Sequence, residues 1–312
     1  MTYKKKLICL LVIIFVLTLA YAGSFIFSPD MNNARSASHL WLDANAADKV
    51  NRFVLNNGWE ILEFIKRNGQ WFVNYNNHEY PARRLRIDDF LNIFTTRSQW
   101  PVRSAGAEVN DRFGFNAGAS RITFYENFSV LLDLFLGDDD LFGRESYFRQ
   151  AGKNEIRSGD SSVRTYLEGA VTSWYNLRLI PETENRSINI NNLQRLSIYN
   201  EGVNQVFTRS GRSWEISGIN VENPDMSNVT EFINFVLNSE GEDFIDPHTV
   251  IDFNYSRISL EFGNGSIITI NVSGPDEINK RYARVSNSDY IYQIPLWVTV
   301  RLFRTAESFE TE

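Results

Sequence analysis

The feature that most constrains this chain is a repeat. Ser120-Arg121-Ile122-Thr123-Phe124 returns downstream as Ser256-Arg257-Ile258-Ser259-Leu260, and landmarks on either side return with it in the same order. Trp71 and Trp214 are 143 residues apart, as are Pro81 and Pro224, and Phe90 and Phe232 are 142 apart. Arg121 and Arg257 are separated by 136, while Tyr147/Tyr282 and Arg149/Arg284 are each separated by 135. Order is kept and the offset changes only across stretches rich in turn residues, so the chain reads as two copies of one module. Two copies are too few for a long solenoid.

Each copy reads as a meander, then a helix, then more strands. In the first, Arg52–Leu55, Ile61–Ile65 and Trp71–Val73 are short β-rich runs punctuated by Asn56-Asn57-Gly58 and Asn68-Gly69. Ile87, Phe90, Leu91 and Phe94 follow at i, i+3, i+4 and i+7, one face of an amphipathic helix. Strands are predicted at Arg121–Tyr125, Val130–Leu136 and Ser146–Arg149, and a second helix across Ser162–Tyr175. The second copy repeats the meander at Leu196–Tyr199, Gln205–Phe207 and Trp214–Ile216. Val229, Phe232, Ile233 and Val236 repeat the helix face, and Ile258–Phe262 with Ile267–Ile270 form a hairpin turning at Asn264-Gly265. The expected fold class is α+β: two tandem homologous modules, each a twisted antiparallel sheet with helices packed on one face. The expected boundaries are 1–28 for a cytoplasmic stub and anchor, 29–49 for a spacer, 50–180 for module 1, 181–193 for a linker and 194–312 for module 2.

The first residues set the expected compartment. Lys4-Lys5-Lys6 precede an uncharged run of 21 residues, Leu7–Phe27, with Leu7, Leu11, Ile14, Leu17, Phe25 and Phe27 as anchor residues. At about 1.5 Å per residue this length just crosses a ~30 Å hydrocarbon core. The lysines stay in the cytoplasm, so the body is expected on the extracytoplasmic, periplasmic side of a single-pass protein. The competing reading is a signal peptide cleaved at Ala20-Tyr21-Ala22; Phe25-Ile26-Phe27 extends the apolar run past that site and favours the uncleaved anchor. Both readings export the body. The only cysteine, Cys9, lies inside this run, which leaves no disulfide framework and no thiol chemistry in the body.

The formal charge is −7, and because the first 28 residues carry three lysines and no acid, the rest stands at −10. An acidic body with scattered basic residues argues against nucleic acid as a partner. No metal or cofactor is expected: His39, His78 and His248 lack second ligands at metal spacing, and Asp138-Asp139-Asp140 lacks the companions of a calcium loop. Hydrolase elbows, phosphate loops and dinucleotide fingerprints do not occur. Trp71 and Trp214 stand at equivalent places, which suits a shared packing role better than one aromatic-lined groove. Arg149 and Arg284, each two residues after a Tyr on a predicted strand, are the candidate partner-binding residues; the alternative is outward strand residues that bury only their stems.

These residues resemble the uncharacterised DUF family numbered 4340, found in bacterial envelope proteins. The resemblance rests on the apolar anchor, Asn68-Gly69-Gln70-Trp71, Tyr80-Pro81-Ala82, Phe90-Leu91, Arg112-Phe113-Gly114-Phe115, Leu136-Gly137 and Tyr147-Phe148-Arg149. It continues more loosely through Ser213-Trp214, Asn223-Pro224-Asp225, Phe232-Ile233 and Tyr282-Ala283-Arg284, with Phe253-Asn254-Tyr255 departing from Phe113-Gly114-Phe115. It implies an auxiliary, non-catalytic subunit beside an ABC transporter of the gliding-motility type, the partner being the permease or its envelope substrate. A glycan- or peptidoglycan-binding module is the alternative expectation, and an envelope hydrolase with unplaced carboxylates a third. Functional differences are expected where the copies diverge, notably Asn116–Ala119 and the Asp138–Gly143 loop.

Overall fold

The computed structural model describes residues 17–18, 38–106, 111–116, 118–180 and 188–310. Of the anchor residues, Leu7, Leu11, Ile14, Phe25 and Phe27 lie outside the described residues, as does most of the expected linker; Leu17 is described and exposed. Among the described residues no helix is long and apolar enough to cross a membrane. The chain separates into two compact units between Trp174 and Tyr175.

The first unit contains β1 (Ser38–His39), α1 (Ala44–Lys49), β2 (Arg52–Asn56), β3 (Ile61–Arg67), β4 (Gln70–Tyr75) and β5 (His78–Pro81). It continues with α2 (Arg84–Thr95), β6 (Ser98–Gln99), β7 (Val102–Ser104), β8 (Ser120–Glu126), β9 (Ser129–Asp139), β10 (Glu145–Gln150), β11 (Ile156–Asp160), α3 (Val163–Glu168) and a 3₁₀ turn over Val171–Trp174. Nine of its strands form one sheet in the order β5-β4-β3-β2-β8-β9-β10-β11-β7, and β1 and β6 form a separate two-stranded sheet. Residues 38–49, within the stretch expected to be a spacer, are therefore folded: Asp43 caps α1 by accepting from the Ala46 amide at 2.8 Å, and the Leu42 amide donates to the Phe94 carbonyl at 3.0 Å.

The second unit contains β12 (Leu193–Asn200), β13 (Val203–Ser210), β14 (Ser213–Ser217), α4 (Met226–Asn238), β15 (Asp243–Ile245), β16 (Ser256–Phe262), β17 (Ile267–Val272), β18 (Arg281–Val285), β19 (Ile291–Ile294), α5 (Leu296–Leu302) and a 3₁₀ turn over Ala306–Phe309. Its eight-stranded sheet runs β14-β13-β12-β16-β17-β18-β19-β15. Apart from the extra edge strand β5, this is the first sheet's order strand for strand. All pairings within both sheets are antiparallel. The architecture is α+β, with two similarly sized antiparallel sheets each flanked by helices. Residues 175–180, expected at the end of module 1, pack within the second unit: the Leu179 amide donates to the Ser239 carbonyl at 3.0 Å, and Tyr175 meets Phe244 at 5.2 Å.

The alternation of each strand puts one face of the sheet in a core. Phe53, Phe64, Phe124 and the α2 residues Ile87, Phe90 and Phe94 are fully buried, while Leu91, expected on the same helix face, is half-buried. Phe53 stacks on Phe64 at 4.3 Å, and Trp174 from the 3₁₀ turn inserts against Phe64 at 4.6 Å and Phe90 at 5.7 Å. The second unit repeats this with smaller rings: Phe207, Phe232 and Phe309 meet pairwise at 5.2–5.5 Å. In both units the turn is tied to the main helix by one bond of 2.7 Å, Arg83 amide to Trp174 carbonyl and Asp225 amide to Phe309 carbonyl. The predicted helix over Ser162–Tyr175 is thus two pieces, because Gly169 leaves helical geometry at ψ 149° and the chain turns back to drive Trp174 inward. Each turn is a register device as well: Asn68 and Gly69 adopt φ 50° and 83°, the pair of positive values a two-residue hairpin needs.

Candidate ligand-binding face on the second sheet

With the buried faces accounted for by packing, the informative surface is the opposite face of each sheet. Directly opposed residues of antiparallel strands point to the same side, so the registers define rows of side chains across the sheet. On the second sheet one row runs Asn204, Tyr199, Arg257, Asn271, Arg284 across β13, β12, β16, β17 and β18. The next row runs Val206, Ser197, Ser259, Thr269, with the Ser286 hydroxyl accepting from the Thr269 amide at 3.0 Å. Together they line a depression of about 580 Å³ walled by Ser197, Tyr199, Asn204, Arg257, Ser259, Thr269 and Asn271. All seven are polar, and among the described residues none of their side chains takes part in an intrachain hydrogen bond or ion pair. The volume falls in the range of small-ligand sites, about 300–1,000 Å³, while the lining is polar where such sites are mostly apolar. Among the described residues no Asp or Glu lines it.

The corresponding rows of the first sheet are Ile61, Asn56, Arg121, Phe135, Arg149 and Glu63, Val54, Thr123, Asp133. They are closed on themselves. Arg121 holds Asp133 with two bonds, Nε to Oδ1 at 2.8 Å and Nη2 to Oδ2 at 2.5 Å, and Thr123 donates its hydroxyl to the same carboxylate at 3.2 Å. Donating to the Asp133 carboxylate holds the proton on Arg121 more firmly than usual. Arg121 and Arg149 both lie over the Phe135 ring, at 5.3 and 5.1 Å, and Arg149 also covers Phe115 at 5.2 Å. In the same row as Asp133, Glu63 pairs with Arg52 at 2.6 Å.

No family model, curated protein or solved structure matches this chain. The chemistry of its faces therefore rests on the geometry alone.

The structure places the sequence-derived candidates as follows. Arg149 and Arg284 occupy equivalent positions, each on the open face of its own sheet; Arg149 is half-buried between rings, and Arg284 is exposed with its guanidinium 4.6 Å from the Phe253 ring centre. Trp71 and Trp214 are equally buried at 6% exposure and serve the cores. The divergent acidic loop is a closed turn: Asp139 pairs with Arg164 at 2.9 Å, and Asp140 accepts from the amides of Arg144 and Glu145 at 2.7 and 3.1 Å, bonds that lower its pKa, the Glu145 bond foremost. Among the described residues no cluster of three or more His, Cys, Asp or Glu is arranged to hold a metal ion. A second depression, about 530 Å³ beside Val250–Tyr255 and Ser273–Asp276, has its tyrosines already committed: Tyr282 donates to Asp276 at 2.8 Å and Tyr255 to Glu201 at 2.6 Å. Sequence reasoning missed Arg257, Asn271 and Thr269 as a group. Arg257 was visible as part of the repeat, but its neighbours lie on other strands, and only the register brings them together.

Proposed function

We propose that this protein is a membrane-anchored, extracytoplasmic binding component of a bacterial envelope that works beside an ABC transporter, with the second module holding the polar envelope substrate. The anchor and the transporter association are implied by the N-terminal apolar run and by the family resemblance. The observation that supports substrate binding is the second sheet's depression of about 580 Å³, lined by seven polar side chains with unspent hydrogen-bonding capacity. A protein partner would favour a different surface, since interface centres are poor in small hydroxylated residues and rich in aromatic ones. The first module acts as structural support, its equivalent face being internally neutralised.

The test is photo-crosslinking in intact cells from a reactive residue placed at position 199, against the same residue at position 56. Adducts to an envelope polymer from position 199 alone, together with co-purification of a transporter permease by the full-length protein, are the expected result. Recovery of the uncrosslinked protein alone from both positions would sink the reading. A glycan- or peptidoglycan-binding module independent of any transporter is the second reading, favoured by the hydroxyl and amide lining; retention on insoluble wall material without a transporter in the cell distinguishes it.

A further inference from the structure

Building on the reading of the second module as a ligand-binding module, we infer that Arg257 and Arg284 form an anion clamp, and that the ligand is an acidic saccharide or similarly hydroxylated chain carrying carboxylate or phosphate groups. The two copies differ at identical places. Residue 133 of the first sheet and residue 269 of the second both stand diagonally beside the repeated arginine, at the same register on the neighbouring strand. Asp133 there neutralises Arg121; Thr269 cannot neutralise Arg257. Residues 135 and 271 both stand between the two arginines of the row, and Phe135 there presents its ring to both guanidiniums whereas Asn271 leaves an amide. Two differences thus release one cation from its carboxylate and two from a shared ring.

Neither row of the second sheet contains an acid, and Arg257 makes no internal ion pair among the described residues. The row is a local concentration of positive charge on a body whose formal charge is −10. Such a patch attracts an anion without any help from the protein's overall field. Arg257 and Arg284 are two strands apart, which sets their Cα atoms at about 10 Å. Arginine side chains at that spacing reach inward over Asn271, and their planar forks match a carboxylate or phosphate bidentately. Arg284 reaches that position by leaving the Phe253 ring, since among the described residues no hydrogen bond holds it elsewhere. Beside the anion position, Ser197, Ser259 and Thr269 present hydroxyls and Asn204 a second amide, donors and acceptors in the density that a polyhydroxylated carrier uses. Tyr199, 40% exposed, supplies an aromatic ring against which a sugar face can pack.

The experiment uses the full-length protein in nanodiscs of zwitterionic lipid and measures calorimetric binding of three probes: oligogalacturonate, poly(glycerol phosphate) and neutral maltohexaose. Binding of an anionic probe at least tenfold tighter than maltohexaose is expected, the tighter of the two naming the anion. Arg257→Gln and Arg284→Gln should each weaken it by about tenfold or more, as loss of a charge-assisted bond does. Thr269→Asp, which builds the first module's latch into the second, should weaken it comparably while the thermal transition is retained. Arg121→Gln should leave binding unchanged. Equal binding of the neutral probe, or wild-type affinity in Arg257→Gln and Thr269→Asp, overturns the anion clamp and leaves ligand binding by the second module standing. Failure of all three probes to bind overturns both.

Discussion

Apart from the edge strand β5, the two sheets have the same strand order and inner faces built alike, yet their outer faces are opposites. In the first, cations are matched to carboxylates and rings within the face: Arg121 to Asp133, Arg52 to Glu63, Arg149 to Phe135 and Phe115. In the second, the places of Asp133 and Glu63 are taken by Thr269 and Val206, and that of Phe135 by Asn271, so Arg257 faces solvent across a polar depression. The comparison teaches that the two sheets share their packing and differ in their electrostatics. A buried aromatic is constrained by every neighbour it touches, whereas a half-exposed ion pair contributes little to stability and is free to change.

The comparison breaks most strongly at the cores if the two units are not equivalent inside. Trp174→Ala and Phe309→Ala each remove a fully buried ring from between the main helix and the meander. Each is expected to cost its own unit about 3–5 kcal/mol. Chemical denaturation followed separately in the two units should show a large loss in both; a silent Phe309→Ala would end the claim of equivalent cores.

A smaller effect sharpens the difference between the outer faces. Replacing Asp133 and Phe135 together by Thr and Asn gives the first sheet the second sheet's residues. Because Arg121 is half-exposed and screened by solvent, the lost ion pair is worth about 1 kcal/mol or less, with the ring contacts adding a comparable amount. The expected sum is a modest destabilisation of the first unit, read from its unfolding midpoint, together with new affinity for the anionic probe. A first unit that stays both equally stable and unable to bind would show that the latch is not what separates the faces.

The smallest effect concerns the edge of the first unit alone. Burial against Trp41, 4.5 Å away, lowers the pKa of His39 below its ordinary 6.5, with the nearby Arg157 charge adding to the effect. The unfolded chain therefore takes up a proton first, and stability falls as pH drops from about 6.5 through the folded pKa, then levels. His39→Asn should flatten that slope in the first unit and leave the second unchanged. Urea midpoints at pH 7.5 and 5 provide the measurement, and an unaltered slope in the variant would remove His39 as its source.

Much of the fold was legible from residues. Trp71 and Trp214 announced themselves as core because they recur at one offset, and the Ile87, Phe90, Phe94 spacing and its copy in Val229, Phe232, Ile233 and Val236 describe buried helix faces. Residues 38–49 were not legible as part of the first unit, because their folding depends on a cap at Asp43 and a backbone bond to Phe94, both non-periodic signals. Trp174 was legible as an aromatic in a helical stretch, but not as the plug of the core, since Gly169 alone marks the break. The site was least legible. Divergence was expected at Asn116–Ala119 and Asp138–Gly143, where lengths and charges differ on paper, and the second of these is a closed turn in the structure.

By itself the sequence determined that there are two modules, that each is a strand meander followed by a helix and further strands, and that Trp71, Trp214 and the two helix faces lie inside them. These follow from periodicity and repetition, which are local properties of a chain. Only the tertiary structure decided what Ser120–Phe124 and Ser256–Leu260 mean chemically. The same arginine is neutral company for Asp133 in one copy and an open cation beside Thr269 in the other, because cross-strand pairing brings together residues twelve positions apart in sequence and sets them on one face.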